Sequence, residues 1–434
     1  MKIGIIGLGF VGLSFAAVLG SKGYQVMGVD NDVKHLNLIK QGKSSFFEKD
    51  LEKFLKVGIK KKLKFDSDIS KLENSDLIFV TVGTPQRNDG SIDLSMIQNV
   101  SKEIGLLVKR SSKKYIIIIK STVIPGTSQK VKQIIEKKSG KKNGIGFELI
   151  SNPEFLRESQ AIVDTQKPHI VVIGGENKIA LKKISGFYKK LHKNVPIIST
   201  NPQTAEMIKY ANNSFLATKI SYINQIAKIC ENIPGVNIED VSKSIGLDPR
   251  IGNLFLNAGP GYGGSCLPKD VKAIINFSSA LGIKPVLLDS VEKINNDQIQ
   301  HVINSAKKLS GTLKGKQIAI LGLSFKPHTD DIRDSISLEI IKKLLKENAN
   351  VVVHDPKALE NVKKIFKEKI QYCTTISQVL KESDVAILMT AWPEYKKINN
   401  SMLKLMNKPV IVDTRRILDP EKLKCKYFGI GFGN

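Results

Sequence analysis

The sequence has no long apolar run and few cysteines. None of its 434 residues belongs to a stretch of the roughly 18 apolar residues that a membrane span needs. Residues 1–6 are typical of a strand rather than a signal peptide, because glycines and then a helical pattern follow them. The four cysteines are widely spaced and include no CxxC pair: Cys230, Cys266, Cys373 and Cys425. The six histidines show no metal-ligand spacing. We therefore expect a cytoplasmic protein with no membrane segment, disulfide framework or metal site.

Aromatic residues are also scarce, at 6% of the chain, and acidic residues are outnumbered by basic ones, which leaves a formal net charge of +26. Such a charge raises the possibility of a nucleic-acid or membrane partner. The lysines are scattered over many segments, however, and almost no aromatic residues lie between them. A solvated lysine-rich surface is the favoured interpretation, with no nucleic-acid or membrane partner, and attraction of an anionic nucleotide substrate is compatible with it.

The N-terminal segment carries a dinucleotide-binding pattern. An apolar run at 3–6 leads directly into Gly7-Leu8-Gly9-Phe10-Val11-Gly12, and a helical pattern over 13–19 follows. The first glycine makes a tight turn, the second lets a pyrophosphate approach the backbone, and the third allows close helix–strand packing. A second strand, 25–29, ends at Asp30, whose carboxylate would bind ribose hydroxyls and repel a 2′-phosphate. NAD is therefore preferred to NADP.

Alternating strands and helices continue along the first half. The strands predicted over 77–82 and 115–119 are nearly all apolar, which is typical of parallel strands buried on both faces. Ligands bind at the carboxyl ends of such strands, so Thr84 and Thr122 are expected to contact cofactor or substrate. A further strand ends at Ser151 and is followed by Glu154 and Glu158, which would lie on one face if this segment were helical.

A long helix is predicted over 204–231, since apolar residues recur there at helical spacing, with Pro202 before it and Pro234 after it. Its length suits a central spine and a dimer seam. Lys209 and Asn213 lie four residues apart and so share a face. A lysine in that setting is either a residue with its head group in solvent or a group that exchanges protons, and the local pattern leaves both open.

The C-terminal part repeats the first pattern. After further helices to about residue 310 and a linker over 311–316, residues 318–325 echo 3–10, and 351–355 echo the strand that ends at Asp30. Later strands are predicted over 385–389 and 410–412. Lys326 and Arg333 would bracket the start of the next helix, where they either meet phosphates or pair with Asp330 and Asp331. The fold class is therefore α/β, with two Rossmann-like parallel-sheet domains joined by a long central helix and a helical dimerisation region.

A glycine-rich segment near the middle contains the candidate nucleophile. Four glycines in Gly259-Pro260-Gly261-Tyr262-Gly263-Gly264 precede Cys266, and Lys269 and Asp270 follow within four residues. A nearby cation favours the thiolate, which is the reactive form, and a carboxylate can orient a water for hydrolysis. The plainer alternative is a glycine-rich turn that carries a small buried cysteine.

Taken together, these segments resemble the UDP-glucose/GDP-mannose dehydrogenase family over essentially the whole chain. The motifs that carry the resemblance occur in order: 7–12, Gly83-Thr84-Pro85, Lys120-Ser121-Thr122, Ser151-Asn152-Pro153-Glu154-Phe155-Leu156, Ala205-Glu206 through Lys209 and Asn213, 259–270, and Phe325-Lys326-Pro327 through Arg333. Residues 248–252 and 259–266 are most similar to the UDP-glucose branch. One departure is His35, which stands where the family often has a lysine that contacts the adenosine side.

The resemblance implies an NAD-dependent four-electron oxidation of UDP-glucose to UDP-glucuronate through a thiohemiacetal and a thioester on one cysteine, in a homodimer. The implied catalytic residues are Cys266, Lys209, Asn213, Asp270, Thr122 and Glu154. The implied NAD-binding residues are Gly7, Gly9, Phe10, Val11, Gly12, Asp30, His35, Thr84, Pro85, Thr122, Glu158, Lys269 and Arg333. The implied substrate-binding residues are Glu154, Phe155, Leu156, Arg157, Lys209, Asn213, Phe255, Leu256, Asn257, Ala258, Gly259, Gly263 and Lys326, with Arg250 reaching in from a second subunit.

Three domains are expected: an NAD-binding domain over 1–200, a central helical domain over 201–310 and a nucleotide-sugar-binding domain over 311–434. The same chemistry on GDP-mannose or a UDP-N-acetylhexosamine is one alternative. A noncatalytic NAD- or nucleic-acid-binding protein is another, and strongly salt-dependent DNA binding without turnover would indicate it.

Overall fold

A computed structural model describes residues 1–433, which fall into two compact units, Met1–Asn212 and a second that begins at Asn213. The division lies within one 29-residue helix, α8 (Pro202–Cys230). This helix was predicted over 204–231, and it begins earlier because proline is well tolerated in the first turn, where its missing N–H needs no partner.

The first unit is built on a single eight-stranded sheet. Its strands are β1 (Lys2–Ile6), β2 (Gln25–Val29), β3 (Leu63–Asp66), β4 (Leu77–Val80), β5 (Tyr115–Ile119), β6 (Phe147–Ser151), β7 (Val171–Gly175) and β8 (Ile197–Thr200). They lie in the order β3-β2-β1-β4-β5-β6-β7-β8, and every pair is parallel except β6 with β7. The order reverses between β1 and β4, which is the crevice where doubly wound sheets bind ligands.

Seven helices of this unit connect the strands. They are α1 (Phe10–Ser21), α2 (Val33–Lys40), α3 (Leu51–Lys61), α4 (Ser95–Arg110), α5 (Thr127–Ser139), α6 (Ala161–Gln166) and α7 (Lys178–Leu191), with a short 3-10 helix at Ile69–Leu72. All five residues of β5 are buried, as are all four of β4. Such strands need apolar side chains on both faces, which explains their unbroken apolar sequence. The strand predicted over 77–82 ends at Val80, and the segment that contains Thr84 follows it.

The second unit contains a six-stranded sheet and most of the remaining helices. Its strands are β9 (Gln317–Leu321), β10 (Asn350–His354), β11 (Gln371–Tyr372), β12 (Val385–Leu388), β13 (Val410–Asp413) and β14 (Lys426–Gly429). All pairs are parallel, in the order β11-β10-β9-β12-β13-β14. The predicted α/β class with two Rossmann-like parallel sheets is therefore confirmed.

The helices after α8 are α9 (Ile238–Gly246), α10 (Leu267–Ala280), α11 (Val286–Ser310), α12 (Ile336–Lys346), α13 (Leu359–Phe366), α14 (Ile376–Leu380) and α15 (Asn400–Leu403). Three 3-10 helices lie at Lys367–Lys369, Pro393–Lys397 and Pro420–Lys422. The main apolar core of this unit combines residues of α8, α9, α11 and α12 with β9, β10, β12 and β13. Within residues 1–433, no helix combines the length and apolarity needed to cross a membrane.

Candidate active site

The glycine loop between β1 and α1 has the geometry of a phosphate-binding turn. Gly7 has a φ of +89°, and a Cβ added there would lie 2.8 Å from the backbone nitrogen of Val82. A Cβ on Gly12 would come within 1.9 Å of the Gly7 carbonyl oxygen, so only glycine allows helix and turn to approach this closely. A Cβ on Gly9 would meet no protein atom within 4 Å. The loop therefore fits a dinucleotide, whose pyrophosphate needs open backbone at this point.

Asp30 and His35 hold this loop from two sides. The Leu8 backbone N–H donates to Asp30 Oδ2 at 2.6 Å, and the Leu8 carbonyl accepts from His35 Nε2 at 2.8 Å. Since a carbonyl oxygen only accepts, Nε2 carries the proton. The Ser45 hydroxyl lies 2.9 Å from Nδ1, and His35 itself is only 8% exposed. His35, which stands where the family often has a lysine, therefore holds the glycine loop in place.

Thr84 and Thr122 are brought together at the carboxyl edge of the first sheet. The Thr84 hydroxyl donates to the Thr122 carbonyl oxygen at 2.8 Å, which joins the segments after β4 and β5. Of the other predicted NAD contacts here, Pro85 is exposed, and Phe10 and Val11 are half-buried at the start of α1. Thr84, Pro85 and Thr122 thus lie at the edge where the parallel strands end.

Glu154 and Lys209 form a buried ion pair in the first unit. Lys209 Nζ lies 3.2 Å from Glu154 Oε1, both side chains are less than a tenth exposed, and the ammonium lies over the Phe155 ring at 5.2 Å. Lys209 is therefore not a surface lysine with its head group in solvent. A buried ammonium needs such a carboxylate, since burial without a partner is costly.

The expectation that Glu154 and Glu158 share a helical face is wrong. The segment after β6 is irregular until α6 begins at Ala161. Pro153 disfavours helical backbone before it, and Glu154 Oε2 accepts the Leu156 N–H at 2.5 Å, which closes a local turn instead. Arg157, a predicted substrate residue, donates to Asp164 through Nε and Nη2.

Lys120 is a second buried lysine beside this pair, and the sequence reasoning did not single it out as a site residue. It directly follows β5, its ammonium lies 5.4 Å from the Phe15 ring centre, and Nζ makes a long 3.4 Å hydrogen bond to Asn152 Oδ1. Burial lowers the pKa of Lys120 from 10.5 to about 8, although Glu154 opposes this effect, and Lys209 lowers it further. The available signals were its place at a strand end and in the Lys120-Ser121-Thr122 motif.

In the second unit, Cys266 is exposed and stands directly before α10. Asp270, in the first turn of that helix, is 1% exposed and binds two partners: Asn213 Nδ2 donates to its Oδ2 at 2.6 Å, and Lys269 Nζ donates to its Oδ1 at 2.6 Å. The sequence places Cys266, Lys269 and Asp270 within five positions, and the structure joins the Asn213 amide and the Lys269 ammonium to the Asp270 carboxylate. A buried carboxylate held by two donors keeps a fixed orientation.

The glycine-rich loop before the thiol lies against a cation that the sequence reasoning missed. A Cβ on Gly259 would lie 3.0 Å from Arg415 Nη1. Burial lowers the pKa of Arg415 to about 10, so its guanidinium stays charged at neutral pH. Its Nε donates to the Met389 carbonyl oxygen at 2.8 Å. The signal was an arginine two residues after the end of β13. Of the predicted substrate segment before this loop, Phe255 has a φ of +66° and lies half-buried, Leu256 and Ala258 are buried, and Asn257 is exposed.

The remaining predicted cations of this unit are held by neighbouring groups. Arg333 pairs with Asp331, with Nη2 2.5 Å from Oδ2, and Arg250 pairs with Asp248 at 2.6 Å while staying 87% exposed. Lys326 lies over the Phe325 ring at 5.5 Å. The expectation that Lys326 and Arg333 bracket a helix start is wrong: α12 begins only at Ile336. Left-handed backbone within 326–335 delays the helix.

The second sheet repeats the loop geometry of the first around Asp355. Gly322 has a φ of +97°, and Asp355 Oδ2 accepts the Leu323 N–H at 2.7 Å, as Asp30 accepts that of Leu8. Asp355 Oδ2 also accepts from Ser324 and from Trp392 Nε1, and its Oδ1 accepts the N–H groups of residues 357 and 358. This carboxylate is fully engaged inside the protein. Within residues 1–433, no group of three His, Cys, Asp or Glu side chains is arranged to hold a metal ion.

Comparisons with known proteins agree with this geometry. Three models of the UDP-glucose/GDP-mannose dehydrogenase family match the chain: the NAD binding domain over 1–192, the central domain over 203–297 and the UDP binding domain over 319–420. A UDP-glucose 6-dehydrogenase of Rickettsia felis is 38% identical, with 99% of this chain and 96% of that protein covered. UDP-glucose 6-dehydrogenase TuaD of Bacillus subtilis is 37% identical, with 99% and 93% covered.

A solved structure of a UDP-glucose dehydrogenase from Pyrobaculum islandicum superposes with a TM-score of 0.93 at 32% identity, with 99% of this chain and 98% of that chain covered. A UDP-D-ManNAc dehydrogenase from Pyrococcus horikoshii reaches a TM-score of 0.88 at 26% identity, with 99% of each chain covered. The glycine loop with its acid, the exposed cysteine before α10 and these full-length matches lead to one conclusion: the chain belongs to the UDP-glucose/GDP-mannose dehydrogenase family.

Proposed function

We propose that this protein catalyses the NAD-dependent oxidation of UDP-glucose to UDP-glucuronate. The observation that carries the proposal is the exposed Cys266 directly before α10, one helical turn before Asp270, whose carboxylate is held by Asn213 and Lys269. The full-length UDP-glucose 6-dehydrogenase relatives support this choice of substrate.

The conversion of a primary alcohol to an acid removes two hydrides and adds one water. NAD, when bound, accepts the hydride in each oxidation. In the first oxidation the hydroxyl loses its proton to a base, and an aldehyde forms. The Cys266 thiolate then adds to the aldehyde carbon, which gives a thiohemiacetal, and loss of the second hydride leaves a thioester. Water attacks the thioester carbon, the C–S bond breaks, and the thiol and the carboxylate product are released.

The position of Cys266 suits this role. The N-terminal end of a helix favours negative charge, and thus the thiolate over the thiol. We assign Asn213 and Lys209, four residues apart on α8, to stabilisation of the oxyanion and to proton exchange. Asp270 and Thr122 would position the hydrolytic water, and Glu154 would act as acid or base in hydrolysis of the thioester.

The binding residues follow from the same assignment. We propose that NAD contacts the loop 7–12, Asp30, His35, Thr84, Pro85, Thr122, Glu158, Lys269 and Arg333. We propose that the nucleotide-sugar contacts residues 154–157, Lys209, Asn213, 255–259, Gly263 and Lys326, and we add Arg415, whose half-buried side chain beside Gly259 suits a phosphate. The three-domain division and the cytoplasmic location stay predictions of the sequence.

A homodimer completes the proposal. Phe215, Tyr222 and Ile229 recur every seven residues on α8, and they are 63%, 52% and 53% exposed. Seven-residue spacing places them in one stripe, and an exposed apolar stripe of this kind indicates a protein interface. Arg250, which is exposed, would reach the site of the second subunit.

The dimer is tested by Tyr222→Glu, which should give a monomer in light scattering coupled to size exclusion. Ile365→Glu is the matched control, because Ile365 on α13 is also 52% exposed. A Tyr222→Glu variant with the mass of the wild-type assembly would remove this face from the interface.

The function is tested by NADH formation with UDP-glucose, GDP-mannose, UDP-N-acetylglucosamine and UDP-N-acetylmannosamine, with NADH counted per sugar consumed. About two NADH per UDP-glucose and little from the others are expected, because one thiol carries both oxidations of the same carbon. One NADH per sugar would contradict the four-electron course. A preference for another of these nucleotide-sugars would leave the proposed chemistry unchanged and contradict the choice of UDP-glucose as substrate.

Cys266→Ser tests the nucleophile separately. The variant should lose complete turnover and accumulate an enzyme-bound ester, because an oxygen ester hydrolyses less readily than a thioester. Intact-protein mass spectrometry after incubation with UDP-glucose and NAD would detect the added mass. An unchanged steady-state rate would exclude Cys266 from the mechanism.

A further inference from the structure

Three buried amide side chains on two helices of the second unit grip the backbone of the glycine-rich loop. The Gly259 N–H donates to Asn224 Oδ1 at 2.8 Å, and Gln298 Nε2 donates to the Gly259 carbonyl oxygen at 2.8 Å. Asn295 binds both groups of Tyr262: its Oδ1 accepts the N–H at 2.7 Å and its Nδ2 donates to the carbonyl at 3.0 Å. The side chains replace the neighbouring strand that this buried loop lacks, since every buried backbone group needs a partner.

The amides are placed for the loop rather than for general packing. Asn224 and Gln298 are 0% exposed, and Asn224 Nδ2 and Gln298 Oε1 have no hydrogen-bond partner among residues 1–433. A buried polar atom without a partner costs free energy. A core selected for stability alone would place an apolar side chain at such a position. Since each of the two amides makes a bond to Gly259 despite this cost, we infer that the bond to Gly259 is what the amide is needed for.

The loop is confined on the other side as well. Gly261 has a φ of +110°, and a Cβ there would lie 2.7 Å from Asn295 Oδ1. A Cβ on Gly263 would lie 2.2 Å from the Asp334 carbonyl oxygen. Gly264 donates its N–H to the Arg333 carbonyl at 3.0 Å. Because protein atoms contact the loop on both sides, its backbone has little room to shift. The loop leads directly into Cys266 at the start of α10.

We propose that Asn224, Asn295 and Gln298 are positioning residues for the reaction: they hold the loop so that the Cys266 sulfur stands where it attacks the aldehyde carbon. This inference rests on the proposed function of Cys266 as nucleophile. The three amides act through the loop backbone, and their contacts at Gly259 and Tyr262 fix the path of the chain into the nucleophile.

The first test is Asn295→Leu, which keeps the side-chain volume and removes both bonds to Tyr262. The kcat with UDP-glucose should fall about 100-fold, the size of effect expected from a displacement of about 1 Å at the reacting group. The KM for NAD should stay within about twofold, because the glycine loop of the first unit is untouched. The rate at which iodoacetamide alkylates Cys266, read from the labelled peptide, should change in parallel with kcat. The control is Asn304→Leu, an exposed amide on the same helix.

Gln298→Leu keeps the proposal testable if Asn295→Leu does not fold. The change deprives the Gly259 carbonyl of this bond, but it also removes the unpartnered Oε1. The two costs offset each other, so the thermal midpoint should hardly move while kcat falls about tenfold. A merely structural residue would show the reverse, a lower midpoint with an unchanged kcat per folded enzyme.

The outcomes separate this inference from the function on which it rests. A wild-type enzyme that produces no NADH from UDP-glucose, or a fully active Cys266→Ser variant, overturns the proposed function. An active wild type and an inactive Cys266→Ser, together with wild-type kcat and alkylation rates in Asn295→Leu and Gln298→Leu, overturn the positioning role alone.

Discussion

Replacement of Lys120 by methionine should stabilise the protein in a manner that depends on pH. Burial lowers the pKa of Lys120 from 10.5 to about 8. At about 1.4 kcal/mol for each pKa unit, the charged form costs the folded state about 3 kcal/mol. A pKa lowered by folding makes the protein most stable above the unfolded value of 10.5, and this stability is lost as the pH falls through 8.

Lys120→Met removes this penalty. It also removes the long bond to Asn152 Oδ1, which is worth about 1 kcal/mol or less. The free energy of unfolding should therefore rise by about 2 to 3 kcal/mol at about pH 7, and most of the gain should be absent at about pH 10. The difference between variant and wild type isolates this lysine, because other groups that titrate in the alkaline range, such as Cys425 with its pKa raised to about 11, are present in both.

Pulse proteolysis in urea measures this change. Fragments assigned to residues 1–212 report on the unit that carries Lys120. Lys130→Met, at an exposed lysine on α5, is the control and should show no such pH dependence. A Lys120→Met variant that loses the same free energy of unfolding at every pH would mean that folding does not shift the pKa of Lys120, and would refute the reasoning.

Three further substitutions test the two binding loops. Gly12→Ala would place a Cβ 1.9 Å from the Gly7 carbonyl oxygen and should abolish NAD binding in calorimetry, whereas Gly186→Ala, which meets nothing within 4 Å on α7, should bind normally. His35→Leu should raise the KM for NAD with little change in kcat, and an unchanged KM would contradict its role in holding the glycine loop. Arg415→Met should raise the KM for UDP-glucose by about 10- to 100-fold through loss of a charge-assisted contact, and full affinity would place the phosphates elsewhere.

The sequence predicted the parts of the fold that depend on local patterns. The β1–α1–β2 unit with its acid, the buried parallel strands and the long helix follow from apolar periodicity and glycine spacing. The interpretation of Glu154 and Glu158 as a helical pair failed because the Glu154 carboxylate closes a turn on its own backbone. Periodicity does not reveal such a side-chain contact.

The sequence indicated Cys266 and Asp270 as candidates because a thiol, an ammonium and a carboxylate lie within five positions of one another, and their roles stay predictions. The site residues whose protonation depends on burial were not predictable from the sequence. Lys120 and Arg415 are ordinary cations in sequence, and only tertiary packing lowers their pKa values. The grip of Asn295 on Tyr262 joins residues 33 positions apart. No local pattern of amides points to such a partner.

Asp355 occupies the same place in the second sheet as Asp30 in the first, but its carboxylate accepts hydrogen bonds from the protein instead of a ribose. Asp30 accepts N–H groups from Leu8 and Asp32, which leaves lone pairs for a ribose. At the equivalent place in the second sheet, a serine hydroxyl and an indole N–H take up that capacity. The Asp355 carboxylate therefore holds the protein's own loop in place. The two sheets therefore share a glycine turn and an acid, but only the Asp30 carboxylate keeps acceptor capacity for a ribose.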